Sequence, residues 1–145
     1  MSADPAPSEP APPLPDGLGG QAAVTVLWRP GCPFCALLLR RLDRTGLTYD
    51  RIDIWQEPAA AAWVRVVTGG DETVPSVRVA GADPDRAVAL VNPTATQVLD
   101  AVGRLAPDAL PPAGGRRPRR GGRRLADVLR LRGRRGRGRG PAAPR

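Results

Sequence analysis

The chain has 145 residues, enough for one domain with tails, and a formal charge of +8 from 22 basic residues, every one of them arginine, against 14 acidic ones. The absence of lysine and histidine excludes a histidine general base, a Ser-His-Asp or Cys-His nucleophile, a Schiff-base lysine and a P-loop lysine. With two cysteines, neither a disulfide framework nor a four-ligand zinc site within one chain can be built, which leaves cysteine, carboxylate, arginine and backbone to carry any chemistry.

The charge is unevenly placed. Residues 1–21 hold three acids and no base, residues 22–106 hold nine of each, and residues 107–145 hold thirteen arginines against two aspartates. The prolines and glycines of residues 1–21, from Pro5 to Gly20, predict a disordered leader. No basic and apolar signal segment opens the chain and no run approaches the length of a membrane span, so a soluble cytoplasmic monomer is expected.

From residue 22 the pattern becomes that of a compact domain. Ala23-Val24-Thr25-Val26-Leu27-Trp28 is a β-branched, nearly continuous apolar run that suits a central strand, broken by Arg29-Pro30-Gly31. Pro33 opens a helix whose Cys35, Leu38, Leu39 and Leu42 fall on one stripe, with Gly46 as the stop and Cys32 outside the stripe at the cap. Thr48–Ile54 reads as a second strand, and strand, helix, strand in this span predicts a βαβ unit with parallel strands.

A second helix is expected from Pro58 to Val67, with Ala60, Trp63, Val64 and Val67 inward and Gly69-Gly70 ending it. Ser76–Val79 and Arg86–Val91 read as an antiparallel hairpin, whose Ala80–Arg86 connection is long and either rims the site or is a plain insertion. Asn92 as cap and Pro93 at the first position open a last helix with Ala95, Val98, Leu99, Val102 and Leu105 inward. The resulting order, β-α-β-α-β-β-α over residues 22–106, is an α/β, thioredoxin-like layout: a four-stranded mixed sheet flanked by helices.

Residues 107–145 are rich in arginine, glycine and proline and read as a disordered tail, with one short helix within 123–132 where Leu125, Val128 and Leu129 share a face. Such a polycation neutralises phosphates without reading sequence, and it lacks aromatic residues for base stacking. Nucleic acid or an anionic membrane surface is one reading of it; compositional drift is the other.

Cys32-Pro33-Phe34-Cys35 follows a strand and opens a helix, the context in which C-x-x-C is a redox motif. Inert core cysteines, or half of a metal site completed by a partner chain, are the competing readings. The unpaired N–H groups and partial positive charge of a helix N-terminus favour a thiolate at Cys32, and Arg29 adds a cation. Cys35, on the apolar stripe, is expected to be shielded and to resolve what an exposed Cys32 attacks. Thr73-Val74-Pro75 precedes the third strand; alone it reads as a trans proline at a strand start, but together with the upstream C-x-x-C a cis Val74–Pro75 bond is expected, which turns the Val74 backbone toward whatever approaches Cys32.

Cys32-Pro33-Phe34-Cys35, then Tyr49–Ile54, then Thr73-Val74-Pro75 together resemble the glutaredoxin family over residues 22–106, with Phe34 where the family motif usually has Tyr. Gly69-Gly70 ahead of Thr73-Val74-Pro75, and Val91-Asn92-Pro93-Thr94 before the last helix, are most similar to actinobacterial mycoredoxins and related glutaredoxin-like proteins. The resemblance implies a dithiol oxidoreductase with catalytic Cys32 and Cys35, and with Arg29, Phe34, Thr73, Val74 and Pro75 at the thiol-substrate site. It implies no bound cofactor and no metal, a low-molecular-weight thiol as co-substrate, and S-thiolated client proteins as partners. The Gly-Gly-x-Asp stretch that holds the glutathione γ-glutamyl group in the family is missing after the fourth strand, and the composition fits a high-GC genome, so mycothiol is favoured over glutathione. A redox-sensing binding module, delivered to nucleic acid or an anionic surface by the basic tail, is the alternative function.

Overall fold

The structure, a computed structural model of the chain, describes residues 10–19 and 22–113. Pro107–Ala109 form a 3-10 turn with Ala109 packed against the core, which corrects the expectation that the disordered tail begins at residue 107. The arginine-rich remainder from residue 114, with its expected helix at 123–132 and the nucleic-acid or anionic-surface contact expected of it, lies outside the described residues.

Strand β1 (Val24–Trp28) leads into helix α1 (Pro33–Thr45) and strand β2 (Asp50–Asp53); helix α2 (Pro58–Thr68), strands β3 (Ser76–Val79) and β4 (Val88–Val91) and helix α3 (Ala95–Leu105) follow. The sheet order is β2-β1-β3-β4, with β1 and β2 parallel and the other two pairings antiparallel. This is the expected βαβ unit continued by a hairpin, with the long apolar run at β1 in an interior position. Gly46 ends α1 in the left-handed region that its missing Cβ permits, and its N–H donates to the Asp43 carbonyl.

The pleat sends alternate residues to opposite faces and so builds two apolar layers. Val24, Val26, Val77, Val79, Val88 and Leu90 meet Leu38, Leu39 and Leu42 of α1 and Val98, Ala101 and Val102 of α3. Leu27, Ile52, Ile54 and Ala89 meet Ala60, Ala61, Trp63 and Val64 of α2 on the other side. Among the described residues two helices cover the first face and one helix, α2, covers the second.

Residues 10–19 fill the remainder, which corrects the expectation that all of residues 1–21 are a disordered leader. Ala11 is buried against the α2 layer, with Leu14 and Leu18 packed on it, and the Ala11 N–H donates to the Ala87 carbonyl at 2.7 Å. The Pro12 carbonyl accepts twice, from Trp63 Nε1–H at 3.1 Å and from Arg78 Nε–H at 3.2 Å. Proline content rules out a helix here but not an extended strap whose carbonyls satisfy donors of the domain.

Two further expectations are corrected. Arg86 and Ala87 do not belong to β4: Pro84–Arg86 form a 3-10 turn after Asp83, whose side chain accepts from the Asp85 N–H. This connection lies at the end of the sheet where Val24 pairs Val79 and Val79 pairs Val88, opposite the cysteines, so it does not rim the site. The cap of α3 is Thr94 rather than Asn92. Thr94 and Gln97 exchange the two bonds of a capping box, while Asn92 takes a left-handed conformation, φ 49°, in the preceding turn.

Candidate functional site

The cysteines sit where β1 runs out and α1 begins. Cys32 is the N-cap, with extended backbone, and its sulfur accepts the Cys35 N–H at 3.3 Å. On the other side its S–H donates to the Val74 carbonyl at 3.7 Å. The Val74–Pro75 peptide bond is cis, as expected. Pro75 is anchored by the β3–β4 ladder, its carbonyl accepting the Asn92 N–H at 2.8 Å, and the Thr73 carbonyl accepts the Ser76 hydroxyl at 2.7 Å. The loop that ends on Pro75 is therefore fixed from behind while its Val74 carbonyl faces the sulfur.

Both cysteines are free thiols and both are buried, Cys32 with 7% of its surface accessible and Cys35 with 1%. The expected ranking holds, but Cys32 is not the exposed residue it was expected to be, because the Val74 loop closes over its sulfur. Burial pushes the Cys35 thiol up to about 12, reinforced by its side-chain contact with Cys32 and by the charge there; the Arg29 main chain and guanidinium act in the opposite sense. The first turn of α1 carries no acidic residue, so the N–H groups facing Cys32 keep their full electrostatic effect.

Of the predicted thiol-site residues, Val74 contacts Cys32, Pro75 is fully buried behind it, and Thr73 is exposed on the same loop. Phe34 lies between the two cysteines in sequence with 63% of its surface in solvent. Arg29 is half-buried, its guanidinium 5.5 Å from the centre of the Trp55 ring. Trp55, 61% exposed and just past β2, was missed by the sequence reading. Its signal was available in the topology: parallel strands that end together place the residues after each of them side by side. Among the described residues no group of three or more His, Cys, Asp or Glu side chains is placed to hold a metal ion, and no helix is long and apolar enough to cross a membrane.

A C-x-x-C at a helix start facing a cis-proline loop on a β-α-β-α-β-β-α sheet defines the thioredoxin-like class of thiol-disulfide proteins. The family model for glutaredoxins matches residues 24–82. Mycoredoxin 1 of Corynebacterium glutamicum is 39% identical over 83 residues, 57% of this chain and 96% of that protein. A Mycobacterium tuberculosis protein named as a glutaredoxin is 36% identical over 77 residues, 53% of this chain and 86% of that one. Among solved structures, a wheat glutaredoxin shares 21% identity over 63% of this chain and 85% of its own, with a TM-score of 0.44. The chain belongs to the glutaredoxin family. It is a dithiol thiol-disulfide oxidoreductase, and the family uses a low-molecular-weight thiol as co-substrate.

Proposed function

We propose that the protein reduces mixed disulfides between client proteins and a low-molecular-weight thiol, with mycothiol preferred over glutathione, and that Cys32 is the attacking and Cys35 the resolving thiol. The observation that carries this reading is the placement of the Cys32 sulfur, held by the Cys35 N–H at the start of α1. An N–H aimed at sulfur stabilises the charged form that attacks a disulfide.

In the first step the Cys32 thiolate attacks the sulfur of the small thiol, the client sulfur leaves as a thiolate and takes a proton, and a Cys32 mixed disulfide remains. Either a second molecule of small thiol then attacks the small-thiol sulfur, forming its symmetrical disulfide and freeing Cys32, or deprotonated Cys35 attacks Cys32 Sγ and expels the small thiol. The second route leaves a Cys32–Cys35 disulfide. Exposed Phe34 and Thr73, the Val74 loop over buried Pro75, and Arg29 supply the walls against which the thiol lies. The preference for mycothiol is supported by the missing Gly-Gly-x-Asp stretch and by the similarity to a protein named Mycoredoxin 1. The proposed setting is the reducing cytoplasm.

Mixed-disulfide substrates made with mycothiol and with glutathione test this directly. Cys32→Ser is expected to lose turnover of both, while Cys35→Ser keeps the route through a second small thiol, and the parent turns over the mycothiol substrate faster. Turnover by Cys32→Ser would refute the assignment of the attacking thiol; equal or faster turnover of the glutathione substrate would refute the mycothiol preference.

A further inference from the structure

β1 and β2 are parallel and end in register, Trp28 opposite Asp53, at the edge of the sheet from which Cys32 follows. The ladder runs one bond further, with the Ile54 N–H donating to the Trp28 carbonyl at 2.9 Å. The Asp53 carboxylate then accepts the Trp55 N–H at 2.9 Å and turns the chain. These bonds put Trp55 beside Arg29, three residues ahead of Cys32.

Trp55 leaves most of its indole in solvent, so its place is not explained by the core. The contact it makes is with the Arg29 guanidinium, 5.5 Å from the ring centre. Trp28, the other ring nearby, is engaged by Arg51 at 5.7 Å. No ion pair between Arg29 and a carboxylate is formed among the described residues, unlike Arg65, which pairs with Glu72. The difference matters: a carboxylate would fix an arginine and cancel its charge, whereas an aromatic face attracts the cation through its quadrupole and leaves the charge in place.

We propose that Trp55 is a positioning residue that holds the Arg29 cation at the cysteine end of the sheet, where its charge favours approach of anionic disulfides on acidic client segments to Cys32, while uncharged mycothiol is left to the other walls of the site. The Arg29 charge already acts on the cysteine pair, opposing the upward push on Cys35. The proposal rests on the reading of Cys32 as the attacking thiol.

The test uses the full chain with Cys35→Ser throughout, so that one thiol remains, and compares alkylation by anionic iodoacetate with alkylation by neutral iodoacetamide at pH 7. In both, Cys32 Sγ bonds to the reagent's methylene carbon and iodide leaves, so the ratio of the two rates isolates the charge felt by the approaching reagent. Arg29→Gln is expected to lower that ratio. Trp55→Ala is expected to lower it about two- to five-fold, the change in occupancy that one cation–π contact on an exposed ring supports, and Trp55→Phe to restore most of it. Combining Trp55→Ala with Arg29→Gln is expected to lower it no further than Arg29→Gln alone. An unchanged ratio in Trp55→Ala, including one where both rates fall together, would overturn the proposal, as would an unchanged ratio in Arg29→Gln or full additivity of the pair. If Cys32 reacts with neither reagent in the parent, the reading of Cys32 as attacking thiol falls, and this proposal with it.

Discussion

The Cys35 main chain donates its N–H to the sulfur of Cys32 at 3.3 Å while its own thiol is sealed beneath it, 1% accessible. One residue thus holds its neighbour's sulfur through the backbone and keeps its own side chain protonated through burial. The Cys35 thiol is raised from its ordinary value of 9.0 to about 12, with burial as the leading cause. Two of the lesser causes come from Cys32 and weaken once that sulfur is in a mixed disulfide, but burial remains. Closure of the Cys32–Cys35 disulfide should therefore speed up with pH, approaching ten-fold per unit from pH 7 to 9 without a plateau. Stopped-flow release of the small thiol from a preformed Cys32 mixed disulfide measures it; a plateau near neutrality would show that Cys35 is already ionised.

The same shift makes a stability prediction with the sign fixed by linkage. The folded state holds the Cys35 proton more tightly than the unfolded chain does, so stability is fully present below about 9 and falls as pH rises from there toward about 12. Urea midpoints of the reduced protein should decline above pH 9 more steeply than those of Cys35→Ser. Parallel declines would remove the assignment of this titration to Cys35.

Residues 10–19 should behave as part of the domain. Without them Trp63 Nε1–H and Arg78 lose their shared acceptor, the Pro12 carbonyl, and the apolar surface under Ala11, Leu14 and Leu18 meets water. A chain starting at residue 20 is expected to be less stable by about 2–4 kcal/mol, from one or two orphaned donors and the exposed apolar area. Trp63→Phe in the full chain should lose about 1–2 kcal/mol. Chemical denaturation decides; a truncated chain as stable as the full one would mean that the strap only rests on the surface.

How far the sequence could show all this depends on where the information lies. The α1 stripe of Cys35, Leu38, Leu39 and Leu42 was legible because helical periodicity is local, and each of the four is buried. The parallel β1–β2 pairing was legible because the crossover that joins the strands admits little else. The α3 cap was readable and misread: Thr94-x-x-Gln97 is a capping-box pattern, but Asn92-Pro93 gave a competing start. What local pattern did not carry were contacts made across the fold. The burial of Cys32 comes from a loop 42 residues away, and the strap is held by Trp63, 51 residues beyond Pro12. Trp55 beside Arg29 lies between these cases, deducible once the strands are known to end together.

Gly81 marks a close approach at the end of the sheet away from the cysteines. A Cβ there would lie 1.8 Å from the Leu105 carbonyl oxygen, an obstacle of backbone rather than of a side chain that can swing aside. Gly81→Ala must push the β3–β4 connection away from the end of α3, at a loss of about 1–3 kcal/mol. Activity per folded molecule should be unchanged. A midpoint like that of the parent would show that the connection shifts freely; a fall in turnover without a fall in stability would show that the two ends of the sheet are coupled.

Arg78 tests what a half-buried cation contributes in the middle of a sheet. It pairs in register with Thr25 on β1 and Ala89 on β4, and its Nε–H donates to the neutral Pro12 carbonyl. Burial lowers its pKa, meaning that the site disfavours the charge it holds. The clefts it borders, of about 460 and 400 Å³, let water reach the guanidinium and limit that penalty. Arg78→Met keeps an apolar stem of similar reach and removes the desolvated charge, and the Pro12 carbonyl retains Trp63 as donor. Stability should therefore stay level or rise by up to about 1 kcal/mol. Arg78→Ala removes the stem as well and should lose about 1–2 kcal/mol through packing alone. If the methionine variant falls as far as the alanine variant, the bond to Pro12 outweighs the cost of burying the charge, and the strap is pinned through Arg78 as much as through Trp63.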